Sequence, residues 1–458
     1  MLFKNRKRGS KSRRFFKYFF LLTVICSGLA GFILFFEGDK PQINLQGTRS
    51  FIGKDGEINF TVTDKGNGIR FINVWGEQGS LKKQLFSVTF PRNSYIGAVG
   101  PLNDSRKINF DAQKEGFKDG AMTIFLETSD FSLRGWLRGN RSIAEKNITI
   151  DTVPPQIHIL HSEKYISPGG TGIVIYRLSD KESVNGATIN DYFNPGFLVG
   201  DGRDDTYISF FALPYNTDKI TTQTISATDK AGNTAVVPFA TIFKKRHFKK
   251  DIINVTDGFL NRKIPEFQQH YPKLAGDALH KYLYANNTIR KANNQKISEL
   301  CKNPSATRLW QGKFSRMAGS TRAGFADHRT YFYNKRAIDK QVHLGMDIAS
   351  TRRAEVKAAN AGKIVFGGYM GIYGNMVLID HGQGVFSLYS HLSQINVVPG
   401  DSVSRKSIIG LTGTTGMAGG DHLHFSMLIN GIFVNPKEWW DPRWISVTIE
   451  NPIINSKL

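Results

Sequence analysis

Hydrophobic residues follow different patterns in successive parts of this chain, and each pattern predicts a different kind of element. Near the N-terminus, Tyr18 to Phe36 is an uncharged and mostly apolar run of nineteen residues, which is long enough to cross a bilayer as a helix. From about residue 41 to residue 248, short alternating polar and apolar runs are broken by Gly, Asn, Asp and Pro. Such alternation predicts antiparallel strands, so we expect one membrane-spanning helix followed by β-structure.

The strand-rich part contains an internal repeat, because the sequence PQINL at 41–45 is matched by PQIHI at 155–159. Residues 224–234 resemble a late hairpin of bacterial immunoglobulin-like domains. We therefore predict two immunoglobulin-like β-sandwich modules, residues 41–154 and 155–248, each of roughly a hundred residues. We interpret both modules as rigid spacers, and binding of a glycan or a protein partner is the alternative.

A helical pattern separates these modules from the C-terminal block. Residues 277–300 contain no glycine or proline, and their apolar side chains recur at the spacing of an amphipathic helix. These apolar positions are Leu279, Tyr282, Leu283, Ala285, Ile289 and Ala292. We predict a helical connector at residues 250–302.

The C-terminal block, residues 310–445, is strand-like and rich in glycine, and it carries a recurring set of histidines. His422 and His424 alternate with apolar residues, so both imidazoles are expected to leave one face of a strand. A glycine between His343 and Asp347 argues for a bent strand or loop that brings these two side chains to one ion.

These side chains predict a zinc site. Zn²⁺ in a catalytic site usually takes three protein ligands from histidines and carboxylates and leaves a fourth position open for water. His343, Asp347 and one histidine of the pair supply that number, while the other histidine of the pair faces the substrate. His391, in a further strand-like segment, is an additional candidate. For any one of these histidines, the alternative is a hydrogen-bonded core residue.

Other residues of this block have simpler interpretations. His381 falls where a glycine-rich hairpin turn is expected, so we assign it a structural role. His328 is interpreted as a surface or groove residue, with the alternative that residues 329–331 line a cleft. Tyr369 and Tyr373, which are flanked by glycines, fit either a groove wall or a packed turn.

Three motifs of the block resemble those of a known family. His343-x-x-x-Asp347, residues 389–392 and residues 420–425 are similar, in order and context, to the motifs of the LytM/lysostaphin-type zinc metallopeptidases. The resemblance covers residues 310–445. It implies an all-β catalytic domain whose substrate is the peptide part of peptidoglycan.

The resemblance also implies roles for individual residues. His343, Asp347 and His424 take the positions of the zinc ligands, and His391 and His422 take those of the catalytic histidines. Bound zinc lowers the pKa of its water to about 7 and polarises the scissile carbonyl. One of the two catalytic histidines then accepts the water proton, while the other stabilises the oxyanion and helps to protonate the leaving amine. The division of these roles stays open.

The family predicts a zinc-dependent metalloendopeptidase that hydrolyses cross-links or stem peptides of peptidoglycan during cell-wall remodelling. The alternative from a different class is a non-hydrolytic wall-binding or hydrolase-activating regulator, and the presence of His391 and His422 argues against it. A third possibility is an enzyme that cleaves a protein. In the family, a segment such as the helical connector can pack near the cleft, so autoinhibition is a further hypothesis.

The charges predict where the chain lies. Residues 1–14 carry seven lysines and arginines and no acid, which places the N-terminus in the cytoplasm and the chain beyond the apolar run outside. We expect a single-pass protein of the inner (cytoplasmic) membrane, with its catalytic domain in the periplasm or cell envelope. A cleaved signal peptide is the alternative, although the best cleavage candidate, residues 28–30, lies inside the run.

The composition adds expectations about partners. The formal net charge is +22, and about +14 of it lies outside the anchor region, which favours a polyanion such as the cell wall. Export and the absence of a recognisable binding motif argue against nucleic acid, whereas protein regulators are a further class of partner. Cys26 lies in the apolar run, so no disulfide with Cys301, the other cysteine, is expected.

Taken in order, the chain is predicted to be a mainly β, multidomain protein. Its predicted parts are a basic cytoplasmic segment (1–17), a transmembrane anchor (18–36), two β-sandwich modules (41–154 and 155–248), a helical connector (250–302) and an all-β LytM-like domain (310–445).

Overall fold

A computed structural model describes residues 10–35, 38–94, 97, 99–134, 138–200 and 202–456 of the chain. The fold is mainly β and multidomain, as the sequence predicts, with an apolar N-terminal helix, helical segments and a β-rich C-terminal domain. Internal packing divides the chain into two units. One extends to Pro154 and includes Lys230–Asn233, and the other comprises Pro155–Asp229 and the chain from Thr234 onward.

The N-terminal helix extends over Ser10–Phe35, so it begins before the predicted apolar run. Lysine and arginine are good helix formers, which explains why the basic residues just before the run continue the helix. Within it, Ser12–Phe32 has a mean hydropathy of 1.7 and is long and apolar enough to cross a membrane. A signal sequence passes the same test, so the retained anchor stays a prediction. The first nine residues of the predicted cytoplasmic segment and Phe36 lie outside the described residues.

The first β-rich region is built from two sheets around one core. A three-stranded sheet has the order β1-β3-β6, and a five-stranded sheet has the order β2-β8-β7-β4-β5. Buried residues of both sheets, such as Ile58 and Val74, form a single hydrophobic cluster, which makes this region a β-sandwich. The strands are β1 (Gln42–Asn44), β2 (Phe51–Ile52), β3 (Asp55–Thr63), β4 (Ile69–Gln78), β5 (Leu81–Thr89), β6 (Asn103–Asp111), β7 (Gly120–Asp130) and β8 (Arg141–Ile150).

The second β-rich region likewise contains two sheets, but each has four strands, with the orders β14-β15-β11-β9 and β13-β12-β16-β17. A separate parallel pair joins β10 to β18. The strands are β9 (Ile157–Ser162), β10 (Tyr165–Ile166), β11 (Thr171–Leu178), β12 (Val184–Ile189), β13 (Tyr192–Pro195), β14 (Phe197–Leu198), β15 (Thr206–Ala212), β16 (Gln223–Thr228), β17 (Thr234–Pro238) and β18 (Ile242–Phe243). The immunoglobulin-like character of both regions stays a prediction.

Every residue of strand β15 is buried, whereas an ordinary strand of a β-sandwich exposes one face to solvent. On one face, Tyr207 and Phe211 belong to the core between the two sheets of the second region. On the other face, Ile208 and Phe210 belong to a cluster that also contains Trp310 and Trp439 of the C-terminal domain. The second region is therefore packed against the C-terminal domain through a shared hydrophobic core.

Hydrogen bonds complete this contact. The Thr171 amide N–H donates to Glu438 Oε2 at 3.1 Å, and Asn430 Nδ2 donates to Phe210 O at 2.9 Å. Gln383 Nε2 donates to Leu198 O at 2.8 Å. Because these polar groups are partly buried, leaving them unpaired would cost free energy, so they fix the register of the contact.

The predicted helical connector contains a strand as well as helices. Strand β19 (Lys250–Asn254) pairs in parallel with β21 (Asp327–Tyr333) of the C-terminal domain, so the connector begins as part of that domain's sheet. The helices are Asp257–His270, Ala278–Tyr284 and Arg290–Leu300, and the last two are joined by a π-helical turn, Ala285–Ile289. The predicted amphipathic helix is thus confirmed as a continuous helical stretch that begins at the Asp277 N-cap.

The C-terminal domain centres on an eight-stranded sheet of order β20-β23-β31-β27-β26-β25-β29, in which β32 pairs with β31. Two three-stranded sheets, β19-β21-β22 and β24-β30-β28, accompany it. The strands are β20 (Ser320–Ala323), β21 (Asp327–Tyr333), β22 (Arg336–His343), β23 (Met346–Ala349), β24 (Glu355–Lys357), β25 (Gly362–Tyr369), β26 (Asn375–Asp380), β27 (Val385–Leu392), β28 (Gln394–Ile395), β29 (Ser402–Val403), β30 (Ile408–Leu411), β31 (Leu423–Ile429) and β32 (Ile432–Val434).

Short helical elements complete the domain. A 3₁₀ turn, Gly371–Tyr373, follows β25. After β32 come Pro436–Trp440, Pro442–Trp444, the π-helical turn Ile445–Glu450 and Asn451–Asn455. The central strands β27 and β31 are buried at every residue, so side chains at their ends are held by a rigid and desolvated scaffold.

We predict that Phe210→Ala lowers the free energy of unfolding by about 3–5 kcal/mol, because it leaves a cavity between Trp310 and Trp439. Denaturant unfolding of the full chain, followed by tryptophan fluorescence, measures the change. Phe193→Ala is the matched control, since Phe193 lies in the same region but is 48% exposed, and it should cost less than about 1 kcal/mol. Equal effects of the two substitutions would contradict the shared core.

Candidate metal centre

Three strands bring His343, Asp347 and His424 together. His343 ends β22, and a two-residue turn through Gly345 leads to Asp347 in β23. Strand β23 pairs antiparallel with β31, and in this register Asp347 lies directly opposite His424. Residues that are opposite in an antiparallel pair project to the same face. The bend that the glycine predicts is therefore confirmed.

Their ligand atoms converge on one point. His343 Nε2 and His424 Nδ1 each lie 2.9 Å from Asp347 Oδ1, and the two nitrogens are 2.9 Å from each other. All three side chains are buried, so little water reaches the point where they meet. These residues form a group whose ligand atoms are close enough to hold one metal ion.

The tautomers of the two imidazoles follow from their outer hydrogen bonds. His343 Nδ1 lies 2.8 Å from the carbonyl oxygen of Gly324, which only accepts, so Nδ1 carries the hydrogen. Ser426 Oγ donates its hydrogen to Leu344 O, so it accepts from His424 Nε2 at 3.1 Å. In the neutral imidazoles, His343 Nε2 and His424 Nδ1 therefore both carry lone pairs.

Two nitrogen lone pairs and a carboxylate oxygen thus face one another without a hydrogen between them. Such an arrangement is repulsive in a buried site unless a cation lies among the three atoms. Two imidazoles and one carboxylate are a usual donor set of catalytic zinc, and metal-binding histidines usually donate their other N–H to a backbone carbonyl or a similar group. The residues of this site therefore fit Zn²⁺.

His391 lies beside this group at a β-bulge. The pairing of β27 with β26 shifts register just before Leu392, and His391 has φ 63°, a left-handed conformation that non-glycine residues seldom adopt. Bulges of this kind re-aim a side chain, and they occur next to active sites. His391 Nδ1–H donates to Thr415 O at 2.8 Å. Burial and the neighbouring imidazoles hold the pKa of His391 well below its usual value.

His422 completes the group of five. Its Nδ1–H donates to Gly420 O at 2.7 Å, and its Nε2 lies 3.5 Å from Asp347 Oδ1. Its ring centroid is 4.9 Å from that of His391. Burial alone would lower the pKa of His422, but the contact with the Asp347 carboxylate outweighs it and the pKa is raised. The structure thus brings all five predicted site residues into one place.

The five residues open into a cavity of about 430 Å³. Arg329, from the segment considered as a cleft wall, lines this cavity, and its Nη2 donates to Asp347 Oδ2 at 3.1 Å. Asp347 Oδ1 faces the two imidazole nitrogens, and the guanidinium of Arg329 beside Oδ2 favours the ionised carboxylate. Asp347 is therefore ionised and is engaged on both oxygens.

The helical segment, residues 257–300, supplies part of the cavity wall. Its contributions are Phe259, Arg262, Tyr282 and Arg290, and residues 253–256 before it also line the cavity. No hydrogen bond joins this segment to the five central residues in the part of the chain that the structure describes. The segment therefore forms one wall of the cavity.

One helix of this segment also contacts the loop that orients His391. Glu266 Oε1 accepts from the Gly416 amide, and the ammonium of Lys263 donates to Thr414 O and to Glu266 Oε2. Lys263 is buried, and burial lowers its pKa although Glu266 opposes that shift. Thr415, between the two contacted residues, is the acceptor of the His391 hydrogen bond.

The other histidines and tyrosines considered in this block lie in different surroundings. His381 is buried and bonds through its two ring nitrogens to Ala361 O and Ser387 Oγ, which confirms a structural role. His328 is exposed and lies outside the cavity wall. Tyr373 lines the cavity with its ring centroid 5.7 Å from that of His424, whereas Tyr369 does not line it.

Comparisons with known proteins find similarity in the C-terminal domain. Residues 341–436 match peptidase family M23. Over 96 residues, the chain is 43% identical to the DD-carboxypeptidase/endopeptidase Mpg of Neisseria meningitidis, and this stretch covers 21% of the chain and 22% of Mpg. Over 93 residues, it is 39% identical to the peptidoglycan DD-endopeptidase ShyA of Vibrio cholerae, covering 20% and 22%. Over 95 residues, it is 34% identical to the murein hydrolase activator EnvC of Escherichia coli, covering 21% and 23%.

The chain thus spans about a fifth of the length of each of these relatives. The matched part contains all five central residues, so it carries the resemblance that the sequence motifs predict. The N-terminal helix, both β-rich regions and the helical segment lie outside it.

We predict that Gly345→Ala weakens zinc binding by roughly 10- to 100-fold, as changes next to metal ligands do. A methyl group there would lie 2.6 Å from both His424 Nε2 and Ser426 Oγ and would displace the imidazole. Chelator competition on the full chain measures the affinity. Gly368→Ala is the control, because its added methyl group would meet no atom closer than 3.5 Å. Unchanged affinity in Gly345→Ala would show that His424 does not need this orientation.

Proposed function

We propose, starting from the peptidase family M23 domain at residues 341–436, that the chain is a zinc-dependent endopeptidase that hydrolyses peptide bonds of peptidoglycan, in cross-links or stem peptides. The observation that carries this proposal is the convergence of two imidazole lone pairs and one carboxylate oxygen beside two further histidines. We assign His343, Asp347 and His424 as the metal ligands, and His391 and His422 as the catalytic histidines.

The chemistry follows from the fixed orientation of these side chains. His343, Asp347 and His424 would hold Zn²⁺, which would supply a Lewis acid and lower the pKa of a bound water to about 7. His391 and His422 each keep Nδ1–H on a backbone carbonyl, so each offers Nε2 for proton transfer. One of them accepts a proton from the attacking water, and the other stabilises the oxyanion or delivers a proton to the leaving amine.

The surroundings of the site suit a peptide substrate. Aromatic side chains of Phe259, Tyr282, Tyr331 and Tyr373 line the cavity beside the histidines. Apolar walls with a few placed polar groups are typical of small-ligand and peptide sites. The names of Mpg and ShyA, which describe DD-endopeptidases, support a bond of the peptidoglycan peptide as the target.

The second candidate function is a non-hydrolytic regulator, and the name of EnvC, a murein hydrolase activator, favours it. A docking groove has no need of a bulged strand that aims His391 at a metal site, or of a serine that fixes the tautomer of His424. These features fit catalysis better than docking. Cleavage of a protein substrate would use the same residues and differs only in the fit of the cavity.

We also propose a location. The apolar helix Ser10–Phe35 anchors the chain in the cytoplasmic membrane, and the catalytic domain works outside it, where peptidoglycan lies. The basic character of the outer part suits an anionic wall.

The helical segment has a defined place in this proposal. The sequence suggests autoinhibition, whereas its contacts support a bracing role, because Glu266 and Lys263 hold the loop on which His391 is oriented. If the segment braces this loop, weakening its contacts lowers turnover. If the segment inhibits the enzyme, weakening the same contacts raises turnover. The two roles therefore predict opposite results.

The direct test is to incubate the zinc-loaded full chain, purified in detergent, with peptidoglycan sacculi and to identify released fragments by mass spectrometry. We expect new peptide ends, which name the bond that is cleaved. His424→Ala should lose tight zinc binding and release nothing, because two ligands do not hold the ion.

His391→Ala is the companion variant in the same test. It should keep zinc but lose turnover by roughly 10²- to 10⁴-fold, the usual contribution of a general acid or base. Near-normal turnover in this variant would show that His391 is not catalytic. Complete absence of fragments from the wild-type protein with one bound zinc would instead favour the regulator.

A second experiment tests the brace. We predict that Glu266→Ala lowers kcat by roughly 10- to 100-fold with zinc content unchanged, because misplacing a catalytic group by about 1 Å has an effect of this size. Glu266→Gln, which retains an acceptor for the Gly416 amide, should restore part of the loss. Gln268→Ala, at an exposed position of the same helix, is the control. An increase of kcat in Glu266→Ala would support autoinhibition.

A further inference from the structure

The cavity beside the metal centre carries an excess of positive charge. Arg262, Arg290 and Arg329 line it, and Asp347 is the one carboxylate among the described residues of its wall. Asp347 already faces three histidines and accepts a hydrogen bond from Arg329. A bound divalent ion would add further positive charge. The cavity is therefore electrostatically suited to an anionic ligand.

Two of these arginines are not used by the metal centre. Arg290 is half-buried and bonds through Nε and Nη2 to Asn286 of its own helix, and Arg262 is exposed at the edge of the cavity. Neither forms an ion pair with an acid anywhere in the described part of the chain, whereas Arg329 pairs with Asp347. Arg262, and Arg290 through its Nη1 side, can therefore take a carboxylate from a ligand.

Arg262 and Arg290 come from a different part of the chain than the five residues of the metal centre. Both lie in the helical segment, 257–300, and so outside the family match at 341–436. They share one cavity with His391 and His422. A peptide that reaches the metal centre therefore lies within the same enclosure as two guanidinium groups that lack an acidic partner.

The chemistry of the guanidinium indicates what it recognises. Its planar array of donors matches a carboxylate, and charge-assisted hydrogen bonds of this kind are stronger than those between neutral groups. The aromatic side chains of Phe259 and Tyr282 lie on the same helical wall and can cover the apolar part of a peptide. A neutral chain such as oligoglycine would leave both arginines without a partner.

We propose that Arg262 and Arg290 form a subsite that binds a carboxylate of the peptide substrate, so that the enzyme prefers acidic stem peptides to neutral peptide bridges. The inference rests on the proposed function and adds its substrate class. It also gives the helical segment a role in specificity, in addition to its contacts with the loop at residues 414–416.

The test compares two substrates that differ only in charge. Cross-linked muropeptide dimers with free carboxylates are compared with the same dimers whose carboxylates have been converted to amides. Cleavage by the zinc-loaded full chain gives the ratio of the two kcat/KM values. Calorimetry with the zinc-loaded His391→Ala full chain, which is expected to bind without appreciable turnover, gives the ratio of the two Kd values.

We expect the wild-type protein to favour the acidic dimer by roughly 10- to 100-fold, the value of one or two hydrogen bonds to a charged group. Arg262→Gln and Arg290→Gln should each reduce this ratio towards 1 in both measurements. Arg262 has an exposed side chain, so its substitution carries little risk to the fold. Lys291→Gln is the matched control for Arg290→Gln. Lys291 is exposed in the same helix as Arg290 but lies outside the cavity wall, so its substitution removes one positive charge and should keep the wild-type ratio.

The two proposals fail in different ways. Equal cleavage and equal binding of acidic and amidated dimers by the wild-type protein would overturn the subsite while leaving the endopeptidase in place. A preference that survives in both arginine variants would also overturn it. Preferential binding of the acidic dimer without cleavage of either dimer would support the subsite and contradict the proposed hydrolysis.

Discussion

The structure depends on one electrostatic constraint, the close approach of three electron-rich atoms in a buried place. His343 Nε2, His424 Nδ1 and Asp347 Oδ1 are held 2.9 Å apart, and hydrogen bonds on the far side of each imidazole prevent either ring from turning away. Such an arrangement is stable only with a cation and a rigid support. The fully buried strands β27 and β31 provide that support, since His424 belongs to β31 and His391 is the penultimate residue of β27.

The support extends beyond the domain that carries the motifs. The second β-rich region contributes Phe210 to a cluster with Trp310 and Trp439, so it stabilises the C-terminal domain from outside the family match. The helical segment contributes Glu266 to the loop that orients His391, and it closes one side of the cavity. The parts that the sequence presents as a spacer and a connector are thus structural components of the unit that carries the metal centre.

Much of this arrangement was accessible from the sequence, and the reasons are local. Alternation predicted a strand at His424, which lies in β31, whereas His422 comes one residue before that strand and pairs with Gly413 in an isolated bridge. The glycine between His343 and Asp347 predicted the turn that joins β22 to β23. The absence of glycine and proline predicted the helix that follows Asp277. The pairing of Arg329 with Asp347 was not evident from the sequence, because a lone arginine in a strand carries no spacing signal that points to a carboxylate eighteen positions away.

The sequence by itself determined which side chains make up the candidate metal centre, because the residue types and spacings of a metal site are set along short stretches of the chain. It also determined the mainly β character, which depends on local alternation. Only the tertiary structure decided what surrounds the site: the burial of both faces of β15, the tautomers fixed by Gly324 and Ser426, and the placement of Arg262 and Arg290 in the cavity. These features join residues that are far apart in sequence, and the pairing of distant surfaces depends on shape and burial that no local pattern records.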